Sequence, residues 1–141
     1  FLDAGCEPDF SSENSIVYGH NLKNGQMFGM LKKHYDTEYN PDADYKKYQK
    51  IWIITPEEEI EYKVFAAREI DVNEDSDVYT IAFASEEDYA SYLKNSIEKA
   101  LYSLKTKPDS EEDILTLSTC TSSSEAGRFI VQATQIQRTA K

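Results

Sequence analysis

Apolar and polar positions alternate through several stretches of this chain, and the elements they predict are mostly strands. Ile60, Tyr62, Val64 and Ala66 alternate with Glu61, Lys63 and Phe65, the period of two that lines one face of a sheet. The run Lys50-Ile51-Trp52-Ile53-Ile54-Thr55 precedes them and is closed by Pro56 and the acidic triplet Glu57-Glu58-Glu59. Together the two runs predict a hairpin around a solvated acidic turn. Ser15-Ile16-Val17-Tyr18 predicts a short buried strand bounded by Gly19, Ile114 to Thr119 a core strand, and Arg128 to Arg138 a long final strand with Phe129 or Ile130 facing inward.

Helical spacing is confined to two places. Tyr89, Leu93, Ile97, Ala100 and Leu101 share one face of a helix from about 86 to 103. Ser85 caps its start, and Glu86, Glu87 and Asp88 complement the helix dipole in the first turn. Met27, Met30, Leu31 and His34 predict a shorter helix over 26–34, after the turn signal Asn24-Gly25. The remaining segments are connections: a polar turn before residue 14, an irregular stretch over 36–49 with Pro41 and three tyrosines, a polar loop at 73–77, a charged linker at 105–113 and a Ser-rich loop at 121–127. Val78 to Phe83 reads as a further strand or as the wall of a groove. With no internal repeat, the sum is one mostly-β domain over residues 1–141 with one substantial helix, closest to a barrel or a strongly twisted sheet.

Composition sharpens this picture. Of 141 residues, 40% are hydrophobic and 12% aromatic, enough for one packed core. Lys and Arg number 15 against 26 Asp and Glu, a net charge of -11. Such a surface lacks the clustered cations that phosphate backbones and anionic lipid require, so nucleic acid is not an expected partner. No apolar run approaches the ~18 residues of a membrane span. The chain opens at Phe1-Leu2-Asp3 without a methionine and reads as a fragment of a longer protein.

The candidate chemistry centres on Cys120. With Cys6 it makes two cysteines, too few for a disulfide framework, and both are expected as reduced thiols. From the residues alone Cys120 is either a buried structural thiol or a nucleophile. It ends the apolar run Ile114-Leu115-Thr116-Leu117 and is flanked by polar Thr119 and Thr121, where core gives way to loop. A nucleophilic thiol must ionise, which calls for cationic neighbours. Arg128 lies eight positions later and His20 at another strand end; either could instead be an ordinary surface residue. His34 reads as a satisfied surface histidine. No metal-ligand spacing, Gly-rich phosphate loop or Gly-x-Ser-x-Gly elbow is present, and no cofactor or metal is expected.

Three motifs together resemble the class B sortases: Tyr18-Gly19-His20-Asn21, followed by Met27-Phe28 and Leu31-Lys32-Lys33; Leu115-Thr116-Leu117-Ser118-Thr119-Cys120; and Gly127-Arg128-Phe129-Ile130-Val131. The helix at about 86–103, before the cysteine strand, belongs to the same likeness. The resemblance implies a sortase-type β-barrel lacking here its N-terminal helices and first strands, so that the barrel is incomplete and activity weak. It also implies a membrane-anchored transpeptidase on the outer face of a Gram-positive cell, acting on a Leu-Pro-x-Thr-Gly or Asn-Pro-x-Thr-Asn sorting motif of secreted surface proteins. By similarity, Cys120 forms a thioester with the motif's threonine, His20 protonates the leaving amine and activates the amine of a peptidoglycan precursor, and Arg128 holds the oxyanion or the substrate backbone. Ser118, Thr119 and Tyr79 match positions that line the substrate groove. The same three catalytic residues would serve a thiol hydrolase with water as acceptor, and the fold without chemistry would serve as a peptide-binding module.

Overall fold

The structure, a computed structural model, describes residues 1–19, 31–120 and 126–141, with Cys120 described by its backbone. Five strands form one sheet: β1 (Asn14–Gly19), β2 (Lys50–Ile54), β3 (Glu58–Asp71), β4 (Ile114–Cys120) and β5 (Gly127–Ala140), in the order β1-β4-β5-β3-β2. β1 runs parallel to β4; every other pair is antiparallel. Among the described residues the helices are α1 (Leu31–Tyr35) and α2 (Glu86–Lys99), with one 3-10 turn at Ser76–Tyr79. The architecture is mostly β, a curled sheet open at its β1 and β2 edges among the described residues. No helix among the described residues is long and apolar enough to cross a membrane.

The expected strands and α2 form where the periodicity puts them, with three differences. β3 begins at Glu58, so two of the three acids belong to the strand. Thr55 closes the tight turn instead: its Oγ1 accepts from the N–H of Glu57 and Glu58, and Glu58 is held by Arg138 at 2.6 Å. Secondly, Val78 to Phe83 is not a strand. The N–H of Val78 donates to Asp75 O and that of Thr80 to Asp77 O, giving the 3-10 turn, and the chain then crosses the sheet as a wall. Thirdly, α2 stops at Lys99 because Ala100 turns extended and the N–H of Leu101 donates to Ala67 O of β3. Of the expected helix over 26–34, the part before Leu31 lies outside the described residues.

Each face of the sheet buries its own cluster. On one face Leu115, Leu117, Phe129, Val131 and Ala133 pack with Tyr62, Val64 and with Leu31, Tyr35 and Leu104. On the other, Phe65, Ala66 and Ile114 receive Tyr89 and Leu93 from α2, each of those side chains contributing about 1.5–3 kcal/mol by burial. Phe65 and Ala66 both reach α2 because the ladder shifts between Val64 and Ala66, leaving Phe65 as an extra residue. Ser85 caps α2 by accepting from Asp88 N–H at 3.1 Å, as expected.

Candidate active site

Cys120 closes β4, and the sheet register sets its neighbours. Across β5 its Cα partner is Arg128; one step back, Thr119 pairs with Phe129 on that side and with Gly19 of β1 on the other. The last described residue before His20 thus pairs with the residue before Cys120. His20 itself, and Thr121 beyond the cysteine, lie outside the described residues. Arg128 is half-buried, and its Nη1 donates to the Gly127 carbonyl at 2.7 Å.

Tyr79 and Ser118 meet directly, with hydroxyl oxygens 2.8 Å apart. Tyr18, the β1 partner of Ser118, lies with its ring 5.9 Å from that of Tyr79 and donates its hydroxyl to Asp3 Oδ2 at 2.8 Å. Burial and the adjacent Asp3 carboxylate push the Tyr18 phenol well above its ordinary range. These aromatic rings stand beside the strand ends that carry the cysteine and arginine positions. Thr119 is placed differently. Adjacent residues on a strand point to opposite faces, so its side chain is buried on the far side of the sheet from Ser118, and its Oγ1 has no hydrogen-bond partner among the described residues.

The wall that carries Tyr79 is fastened by a buried polar network absent from the sequence reading. Asn14 Nδ2 donates to Thr80 O at 2.9 Å and to Val78 O at 3.3 Å. Thr116 Oγ1 donates to Asn14 Oδ1 at 2.8 Å, and Gln132 Nε2 donates to Thr116 Oγ1 and to the Tyr92 hydroxyl at 3.1 and 2.8 Å. Tyr92 in turn donates to Val78 O at 2.6 Å. Burial pushes the Tyr92 phenol up to about 12, so it stays a neutral donor. Four elements are thereby tied to one turn. The available signal was a glutamine inside the apolar run Phe129-Ile130-Val131-Gln132-Ala133, since a polar side chain at a buried strand position needs partners.

The other candidates resolve into structural roles. Cys6 is a free, buried thiol; it accepts from Ile16 N–H at 3.4 Å and donates to Asn14 O at 3.6 Å. Burial pushes its ionisation up, which makes it a poor nucleophile. His34 pairs with Asp44 Oδ1 at 3.0 Å and lies 4.1 Å from the Tyr48 ring, a satisfied surface histidine. Among the described residues no cluster of three His, Cys, Asp or Glu side chains could hold a metal.

Comparison with known proteins follows the same outline. The sortase-domain family description matches residues 5–136. Sortase B of Listeria monocytogenes is 30% identical over 139 residues, covering 94% of this chain and 52% of that protein. Sortase B of Staphylococcus aureus is 26% identical over 137 residues, covering 96% of this chain and 53% of that protein. The crystal structure of Bacillus anthracis sortase B in complex with AAEK1 superposes with a TM-score of 0.77 at 31% identity, over 97% of this chain and 60% of that one. The chain thus spans about half the length of the two relatives it matches.

Proposed function

The chain belongs to the sortase family, in its class B branch, and we propose that residues 1–141 form a sortase catalytic domain that joins secreted surface proteins to the cell wall. Sortases are cysteine transpeptidases. In this reading the Cys120 thiolate attacks the threonine carbonyl of a Leu-Pro-x-Thr-Gly or Asn-Pro-x-Thr-Asn sorting motif. The C–N bond breaks, a thioester forms, and His20 gives its proton to the leaving amine. His20 then takes a proton from the incoming amine of a peptidoglycan precursor, which attacks the thioester and expels the Cys120 thiolate, restoring the starting ion pair. Arg128 holds the oxyanion or the peptide backbone with its planar fork of N–H donors. Ser118 and Tyr79 contact the motif beside the reacting bond. The site works on the outer face of a Gram-positive cell membrane.

One observation supports this reading above the others: β4 pairs Cys120 with Arg128 on one side while β1 ends beside Thr119 on the other, so the cysteine and arginine motifs meet at one end of neighbouring strands, beside Gly19, the residue that precedes His20 in the chain. The electrostatics demand it as well. An ordinary thiol near pKa 8.5 is only a few per cent ionised at neutral pH, and a net charge of -11 opposes its ionisation. Local positive potential must come from Arg128 and His20. Alkylation of Cys120 followed against pH should therefore inflect below the ordinary thiol range; an inflection at the ordinary value would refute the electrostatic part.

The deciding experiment is mass spectrometry of the chain after incubation with peptides of both motif types. An acyl adduct on Cys120 that discharges onto an added amine is expected. Discharge onto water alone would make the chain a hydrolase, and no adduct with any peptide would leave it a binding module.

A further inference from the structure

Asn14 opens β1 and is 0% exposed. A buried amide is costly unless its donors and its acceptor are met, and here the donors all point to one place. Nδ2 donates to Thr80 O at 2.9 Å and, at 3.3 Å each, to Val78 O and the Tyr92 hydroxyl, two hydrogens serving three acceptors. The backbone N–H of Asn14 donates to Ile81 O at 3.1 Å. One residue of β1 thus holds the carbonyls on both sides of Tyr79.

The amide has only one workable orientation. Carbonyls accept and cannot donate, so Nδ2 faces the wall and Oδ1 faces β4. There Oδ1 accepts from Thr116 Oγ1 at 2.8 Å, and Thr116 Oγ1 accepts in turn from Gln132 Nε2 at 3.1 Å. The donors run one way, from β5 through β4 and β1 to the carbonyls of the wall. The wall does not set this direction by itself. Ser76–Tyr79 is a 3-10 turn of four residues, and Thr80 after it is extended, too short a helix to hold its own shape. Val78 is anchored by apolar contact with Ile70 and Ile130. Burial of that kind is non-directional: it fixes where Val78 sits and not how the next peptide planes are rotated. The hydrogen bonds from Asn14 fix the rotation.

We propose that Asn14 is a positioning residue for the peptide groove: by holding the Val78 and Thr80 carbonyls it orients Tyr79, and so sets the Tyr79 hydroxyl on Ser118, 2.8 Å away. The proposal rests on the reading of Tyr79 and Ser118 as groove residues. It puts control of a groove hydroxyl at the opposite end of β1 from Gly19, the residue before His20.

The test is a double-mutant cycle in the full chain, read by the KM and kcat of acyl-enzyme formation with the sorting peptides. Asn14→Ala is expected to raise KM roughly tenfold with kcat changed less than about twofold, because ground-state and transition-state binding weaken together. Tyr79→Phe, which removes the hydroxyl, should raise KM about fivefold in the parent but less than about twofold on top of Asn14→Ala, since a displaced hydroxyl has little left to lose. An asparagine that merely supports the fold leaves the two effects additive. Additivity, or an unchanged KM in folded Asn14→Ala, overturns the proposal. A second readout needs no turnover: the nuclear Overhauser signal between the Tyr79 ring and the Ser118 side chain should be lost in Asn14→Ala, and its persistence refutes the positioning role. If the parent chain turns over no peptide, the sortase reading fails separately and this signal alone decides. Should Asn14→Ala not fold, Thr116→Val removes only the hydroxyl that orients the amide: a weakened Tyr79–Ser118 signal supports the proposal, and an unchanged one ends it.

Discussion

Along β4, Leu115 and Leu117 turn toward the apolar cluster around Leu31, Tyr35 and Leu104, whereas Thr116 and Ser118 turn toward Gln132, Asn14 and Tyr79. Beyond Ile114, which packs under α2, the strand therefore serves as core on one face and as a polar floor on the other. The apolar face is held by non-directional burial, which tolerates repacking. The polar face is held by hydrogen bonds with fixed partners, which does not. A site that must present a hydroxyl at one place needs the second kind of support, and the first kind stabilises the strand that carries it.

The sharpest way to separate the two faces is at the strand's end. Cys120→Ala should abolish the covalent adduct with sorting peptides entirely, read by mass spectrometry of a chain whose circular dichroism is unchanged. Next in size, Leu115→Ala on the apolar face should cost about 2–5 kcal/mol in denaturant unfolding, the transfer loss plus the cavity left behind. Gln132→Leu on the polar face removes one donor from a buried network and should cost about 1–3 kcal/mol. Unlike Leu115→Ala, it should also weaken peptide binding, because Val78 and Tyr79 lose part of their support. Equal effects of the two substitutions on binding would erase the contrast between faces.

The smallest effect is a pH dependence. The Tyr92 phenol is raised in the folded chain to about 12, against an ordinary value of about 10. A raised pKa means that the folded state keeps its proton while the unfolded state loses it. The stabilisation is complete below about 10 and falls as pH climbs toward about 12. Unfolding measured across that window should show a steeper loss for the parent than for Tyr92→Phe, and parallel curves would argue that burial does not keep the Tyr92 phenol neutral.

Much of this fold could be read from local pattern. Period-two alternation located β3, short apolar runs located β1 and β4, the final strand followed from Phe129 or Ile130 facing inward, the hairpin from two β-rich runs around Pro56, and Ser85 marked the start of α2. Cys120 and Arg128 drew notice as candidates because they stand where patterned strands meet a polar loop, whereas Ser118, inside β4, was named only through the family resemblance. Thr119 shows the limit of naming by adjacency: next to Ser118 in the chain, it faces the other way.

The chain's own order of residues determined which segments would extend or coil and where the chemistry-bearing side chains stand along them, because dihedral preference and alternation act over a few neighbours. Tertiary structure alone decided that β1 lies parallel to β4, that Val78 to Phe83 crosses as a wall, that Phe65 bulges to meet α2, and that Arg68 is buried within β3. Those outcomes depend on which distant surfaces exclude water together and which buried polar groups find partners, and neither condition is written in any short stretch of sequence.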